Sequence, residues 1–89
     1  MKHIVKRGTH TQAYDPKKLY ASIYAACLAV REHPGSAELI AEHVISDFDK
    51  WLEKKHEITS NDIRRQAHEY LKVINPDAAH IYLHHRVIW

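Results

Sequence analysis

The chain has 89 residues, a formal net charge of +2, 45% hydrophobic and 27% charged residues, and a single cysteine. This length and ordinary composition predict one globular domain, residues 1–89, with a modest core, and exclude a disordered chain. No apolar stretch is long enough to cross a membrane, and the first residues do not resemble a secretory leader. A single cysteine, Cys27, excludes a disulfide framework and a cysteine-rich zinc finger. We therefore expect a cytoplasmic protein.

Positive charge is concentrated at the N-terminal end of the chain. Residues 1–18 carry Lys2, Lys6, Arg7, Lys17 and Lys18 against one acid, Asp15. The later segments are nearly balanced, and the nine histidines gain charge only at mildly acidic pH, because an unperturbed histidine titrates near pH ~6.5. Attraction of an anionic ligand should therefore concentrate at the N-terminal end, while the small net charge argues against strong nucleic-acid binding.

The first segments predict a β-hairpin followed by a helix. Residues 3–7 and about 10–14 are strand-like and are joined by a turn at Gly8-Thr9. Asp15 is a suitable N-cap, with Pro16 at the first helical position. The helix should run from about Pro16 to Glu32, with its apolar stripe at Leu19, Ile23, Cys27 and Val30.

Three further helices are predicted. Pro34-Gly35 should end the first helical region, and Ser36 should cap a second helix from about Ala37 to Lys54. The apolar stripe of this second helix is Ile40, Val44, Phe48, Trp51 and Leu52.

A short third strand is expected at Glu57-Ile58. Thr59 or Ser60 should cap the third helix, and Thr59 and Asp62 have the spacing of a capping box. Asn75-Pro76 repeats the cap-then-proline signal and should start a fourth helix that runs to about Arg86. The apolar residues of the third helix are Ile63, Ala67, Tyr70, Leu71 and Ile74. The whole order predicts an α+β fold, a four-helix bundle capped by a small β-hairpin or three-stranded sheet.

Three segments together have a recognisable order. The first is Val5-Lys6-Arg7 followed, after a polar turn, by Asp15-Pro16-Lys17-Lys18-Leu19. The second is Ile58-Thr59-Ser60-Asn61-Asp62-Ile63, and the third is Ala78-Ala79-His80-Ile81-Tyr82-Leu83-His84-His85-Arg86. In order and spacing, across essentially the whole chain, they resemble the ATP-cone, the nucleotide-sensing regulatory domain of ribonucleotide reductases and of their transcriptional repressors. Two positions depart from it: Gly8-Thr9 stands where the family has Asp-Gly, and Gln12 where it usually has an acid.

The resemblance implies a site for ATP or dATP, with or without Mg²⁺. The implied contacts are Val5, Lys6, Arg7, Gln12, Asp15, Lys18, Leu19, Ser60, Arg64 and Arg86. The residues themselves give some support, because helix N-termini and nearby cations together favour phosphate. Ser60 and Arg64 lie one helical turn apart and therefore share a face.

Each of these residues also has an ordinary structural interpretation. Lys6 and Arg7 could form a solvated basic strand, Lys18 could be an exposed lysine, and Asp15 could serve only as an N-cap. Ser60 could likewise be a cap, Arg64 a surface arginine, and Arg86 the partner of an acid across the bundle.

Other chemistry finds little support in the sequence. His80 and His84 are four residues apart on a predicted helix and could bind a metal, but no third or fourth ligand stands at a telling spacing, so no metal site is predicted. There is no Walker loop, no glycine-rich dinucleotide turn and no recognisable catalytic triad. We therefore expect a protein that is not an enzyme and that binds a nucleotide without consuming it.

The sequence thus favours a regulatory adenine-nucleotide module, an allosteric sensor linked to ribonucleotide reductase or to its regulation. Its expected partners are the nucleotide and either a second copy of the chain or a ribonucleotide reductase-type protein; nucleic acid and membranes are not expected. The alternative is a small helical module for protein interaction or nucleic-acid binding that has lost nucleotide binding. The departures at Gly8, Thr9 and Gln12 favour this alternative.

Overall fold

The computed structural model describes residues 3–5, 11–13, 15–55 and 58–84. In chain order the described elements are β1 (His3–Val5), β2 (Thr11–Ala13), α1 (Pro16–Ala29), α2 (Pro34–Leu52), β3 (Ile58–Thr59), α3 (Ser60–Ile74) and α4 (Pro76–His84). The helices have 14, 19, 15 and 9 residues, so they supply most of this part of the chain.

Helix α1 begins as predicted but ends earlier than Glu32. Its last turn closes with two crossed hydrogen bonds, in which the Glu32 amide donates to the Cys27 carbonyl (3.1 Å) and the Arg31 amide donates to the Leu28 carbonyl (3.0 Å). This is a Schellman turn, which requires a left-handed residue just beyond the helix. Arg31 takes that conformation, with φ 68°. The predicted end was wrong because no glycine marks the turn.

Replacing Arg31 with glycine is therefore expected to stabilise the fold. Glycine adopts a left-handed conformation without steric cost, so the free energy of unfolding should rise by about 0.5–1 kcal/mol. Urea unfolding of the two proteins measures the difference. Arg31→Ala is the matched control, because it removes the same side chain without relieving the backbone, and it should not stabilise. Equal stability of the glycine and alanine variants would contradict the argument.

Helix α2 starts three residues before the predicted Ala37. Pro34 occupies the first turn of the helix and His33 is its N-cap, without a side-chain capping bond. The prediction that Pro34-Gly35 only ends the first helical region was wrong. Proline fits the first turn of a helix, because the backbone amide that it lacks would have no partner within the helix there. The helix ends at Leu52 rather than at Lys54.

The predicted starts of α3 and α4 are confirmed. Thr59 caps α3 in a full capping box with Asp62. Asn75 caps α4, because its side-chain oxygen accepts from the Ala78 amide at 3.1 Å. The side-chain nitrogen of Asn75 also donates to the Glu32 carboxylate at 3.1 Å. This single residue therefore joins α3 to α4 and ties both to the end of α1.

The core lies between the four helices. Successive helices pack on each other, and α4 closes the ring by packing on α1. The buried residues are Leu19, Ile23, Ala26, Cys27, Ala37, Ala41, Val44, Phe48, Leu52, Ile63, Ala67, Leu71, Ala78, Ala79 and Tyr82. Small alanines on α2 and α4 allow close approach of neighbouring helices. Burial raises the pKa of the Cys27 thiol to about 11, so the thiol stays protonated and unreactive at neutral pH.

The predicted α+β class with a capping sheet must be corrected, because the described fold is essentially helical. Every buried core residue named above belongs to a helix. The strands are only two or three residues long: β1 pairs antiparallel with β2 and parallel with β3. Their substantial contacts are with each other, apart from those between β3 and the adjoining α3. Within the described residues no sheet cap over the bundle is seen.

None of the helices in the described ranges combines the length and apolar character needed to cross a membrane.

Candidate nucleotide site

The first turn of α1 is already saturated with hydrogen bonds. The Asp15 carboxylate accepts from the Lys17 amide at 3.0 Å, and the Asp15 carbonyl accepts from the amides of Lys18 (3.1 Å) and Leu19 (3.4 Å). Pro16 has no amide hydrogen to offer. This helix end therefore presents no free backbone donor to a phosphate. What it presents are the exposed side chains of Lys17 and Lys18, while Leu19 is fully buried in the core.

The first turn of α3 is different. In the capping box the Asp62 amide donates to the Thr59 hydroxyl (3.1 Å), and the Thr59 amide donates to the Asp62 carboxylate (3.0 Å). Helix geometry leaves the next two amides, those of Ser60 and Asn61, without an intrahelical acceptor. They lie at the positive end of the helix dipole, which favours an anion there.

The Asp62 carboxylate in this turn is already paired with neighbouring donors. Hydrogen bonding to the Thr59 backbone, with further help from the Arg65 guanidinium, lowers the pKa of Asp62 below its ordinary value. Arg65 donates to Asp62 at 2.8 Å. Arg65 is therefore engaged within α3, and Asp62 repels an incoming anion less than a bare carboxylate would.

Arg64 has no such partner among the described residues. Its side chain is half-buried, and its Nε atom is buried without a hydrogen-bond acceptor. The Tyr82 hydroxyl on α4 is also buried without a partner, and Tyr82 is only 1% exposed. Unpaired buried donors are costly, about 1–3 kcal/mol each, and in native folds they call for an explanation.

These two groups are within electrostatic range of each other. Burial raises the pKa of Tyr82 far above its ordinary value, and the positive charge of Arg64 partly offsets that rise. The guanidinium and the phenol both act as donors at neutral pH. A ligand oxygen that accepts from either of them would satisfy a group that the fold leaves unpaired.

The sheet register connects this helix start with the N-terminal segment. Val5 lies opposite Thr59 in the parallel β1–β3 pair, so the end of β1 lies beside the N-cap of α3. Lys6 and Arg7 follow Val5 in the sequence and lie outside the described residues, as does Arg86. The side chains of Val5, Gln12 and Ser60 are also outside the description. Their roles therefore stay predictions.

A comparison with protein families decides what kind of domain this is. The model of the ATP cone domain matches residues 2–89. The chain belongs to the ATP-cone family. The comparisons with curated proteins and with solved structures found no match. ATP-cone domains are regulatory rather than catalytic, and they bind ATP or dATP as effectors.

Two groups of the predicted ATP-cone residues can be placed in the fold. Asp15 is the N-cap of α1, and Lys18 and Leu19 lie near the start of that helix, which packs on α2 and α4. Ser60 and Arg64 belong to α3. The substantial helix contacts do not include an α1–α3 pair, so these two helices are not packed along their lengths. A ligand that used both would have to bridge across the end of the bundle.

Tyr82 was not among the site residues predicted from the sequence and is a further candidate. Its ring is buried in the core, but its hydroxyl has no hydrogen-bond partner. The available signal was its position in the Ala- and Tyr-rich closing segment. Within the described residues no group of three or more metal-ligating side chains converges.

Proposed function

We propose that residues 1–89 form a single ATP-cone domain that binds ATP or dATP as a regulatory signal in the cytoplasm and does not itself catalyse a reaction. We further propose that the protein it regulates is a ribonucleotide reductase or part of the control of one. The observation that carries the proposal is the pair of unpartnered buried donors, Arg64 Nε and Tyr82 Oη, beside the α3 start in a chain of this family.

The phosphates would bind at the α3 end of the bundle. Arg64 supplies a charged donor there, and the amides of Ser60 and Asn61 supply neutral donors at the helix N-terminus. Lys6, Arg7 and Arg86 would add positive charge, with or without a Mg²⁺ ion on the phosphates. The first turn of α1 has no free backbone donor, so its contribution would come from side chains, above all Lys18. Val5, Gln12, Asp15 and Leu19 remain candidate contacts from the family pattern.

Regulation would follow from linkage between this site and a partner surface. A nucleotide that bridges α3 and α4 favours whichever packing of those helices holds its phosphates best. Any partner that distinguishes the two packings then binds with an affinity that depends on the nucleotide, and the coupling cannot exceed the differential affinity of the nucleotide for the two states.

The direct test is calorimetry and thermal unfolding with ATP and with dATP. Binding to the folded state alone should raise the free energy of unfolding by about 2.7 kcal/mol at a ligand concentration one hundred times the dissociation constant. Repeating the titration without Mg²⁺ shows whether the metal takes part. A parallel DNA titration at physiological salt tests the alternative function. If calorimetry detects DNA binding and detects no binding of ATP or dATP, this proposal is wrong and the alternative, a nucleic-acid-binding module that has lost nucleotide binding, is favoured.

We also expect self-association to depend on the nucleotide. Leu39 on α2 is 68% exposed and Val73 on α3 is 86% exposed, so the helix surfaces carry apolar side chains that a second copy could cover. Sedimentation of the chain with and without saturating ATP or dATP measures the change. If the chain sediments as a monomer in every condition, this expectation is wrong, and the regulated partner would have to be a different protein.

A further inference from the structure

We propose that His80 and His84 form a zinc-binding site on the outer surface of α4. The two imidazole rings have their centres 4.4 Å apart, with 61° between their planes. Both residues are exposed, so an ion can reach them from solvent. The proposal rests on these two side chains and is independent of the nucleotide site.

The spacing suits a shared ion. Histidines four residues apart lie on one face of a helix, an arrangement that zinc enzymes use for two of their ligands. Zinc–nitrogen bonds are about 2.0–2.1 Å long, so two rings whose centres lie 4.4 Å apart are close enough to share one ion after side-chain rotation. Water would fill the other two tetrahedral positions, because no third ligating side chain converges there within the described residues.

This pair differs from other histidines of the described chain. The His43 imidazole lies 3.3 Å from the Asp47 carboxylate, and His68 Nδ1 lies 3.7 Å from the Glu69 carboxylate. In each of these contacts one ring nitrogen is already engaged by a carboxylate. The ion pairs found in the described residues give neither His80 nor His84 such a partner. The contact of these two rings is with each other.

The ion would fix the last turn of α4. His84 is the last described residue of the helix, and zinc would hold it to His80 one turn earlier. A positive ion is also favoured near a helix C-terminus, where the dipole is negative. Tyr82 lies between the two histidines in sequence but is buried on the inner face. Zinc would thus stabilise α4 from outside without entering the core.

The test is a zinc titration of the full chain by calorimetry, without nucleotide, with circular dichroism to verify folding of each variant. We expect one zinc per chain in the parent and at least about tenfold weaker binding in His80→Ala and in His84→Ala, because each loses one of two protein ligands. The matched control is His33→Ala, which removes an exposed histidine that makes no capping bond and should bind zinc as the parent does.

Imidazole ¹H–¹⁵N spectra of the parent provide a readout that needs no variant. The resonances of His80 and His84 should shift together on adding zinc. Absence of binding up to about 1 mM zinc, or binding by His80→Ala equal to that of the parent, would overturn the site. Neither outcome bears on nucleotide binding, which is measured without zinc.

Discussion

Replacing Arg64 with alanine is expected to weaken ATP binding by about 10- to 100-fold, because a hydrogen bond to a charged group contributes about 1.5–3 kcal/mol and each 1.4 kcal/mol is tenfold in affinity. Binding of adenosine, which has no phosphate, should change little. Arg64 makes no hydrogen bond that α3 needs, so the fold should survive. Calorimetry with the two ligands separates loss of phosphate contact from loss of the domain.

Arg65→Ala is the matched control for this experiment. It removes the same charge from the adjacent position of the same helix, but Arg65 is exposed and bound to Asp62. Its ATP affinity should fall much less than that of Arg64→Ala, since the only expected loss is the added repulsion from the unpaired Asp62 carboxylate. Lys6→Ala is expected to resemble Arg64→Ala. Equal loss in the Arg64 and Arg65 variants would mean that the effect is one of overall charge, and no loss in the Arg64 and Lys6 variants would mean that the phosphates bind elsewhere.

Replacing Phe48 with alanine should produce the largest loss of stability among single changes in the core. Phe48 is fully buried near the C-terminal end of α2, and its ring centre lies 5.3 Å from that of Trp51. Truncation of such a ring typically costs about 3–5 kcal/mol, which is much of the 5–15 kcal/mol that holds a domain together. Urea unfolding should show a much lower midpoint, and Trp51 fluorescence should report the same transition.

Leu39→Ala is the control on the same helix. Leu39 is 68% exposed, so its truncation should alter the free energy of unfolding by no more than about 0.5 kcal/mol. A comparable loss from both substitutions would show that Leu39 is covered in solution, by a second copy for example. A small loss from Phe48→Ala alone would contradict the core described above.

The helices were predictable from sequence because apolar spacing and caps act locally. Thr59 with Asp62, and Asn75 before Pro76, are complete signals within a few residues, and the structure confirms both helix starts. The end of α1 was not predictable, because an arginine takes the left-handed position where glycine is the usual signal. The start of α2 was misplaced because a proline can either break a helix or open one.

The fold class and the site depend on contacts between distant segments. Local spacing suggested strands and a cap, but it could not show that the described core would be built from helices alone. Likewise, the four-residue spacing of Ser60 and Arg64 in the sequence was enough to predict that they share one face of α3. The charge of Arg64 acts on Tyr82, eighteen residues further along, only because α4 packs on α3.

The one-residue connection at Asn75 has a mechanical consequence. Because this residue closes α3, caps α4 and is bonded to Glu32, the two helices are anchored at that end and can separate only at the other. Asn75 is thus a fixed hinge between α3 and α4. Arg64 on α3 and Tyr82 on α4 both lie away from this hinge. A small change in the distance between those two side chains would therefore require a rotation of the whole of α4, including its outer face with His80 and His84.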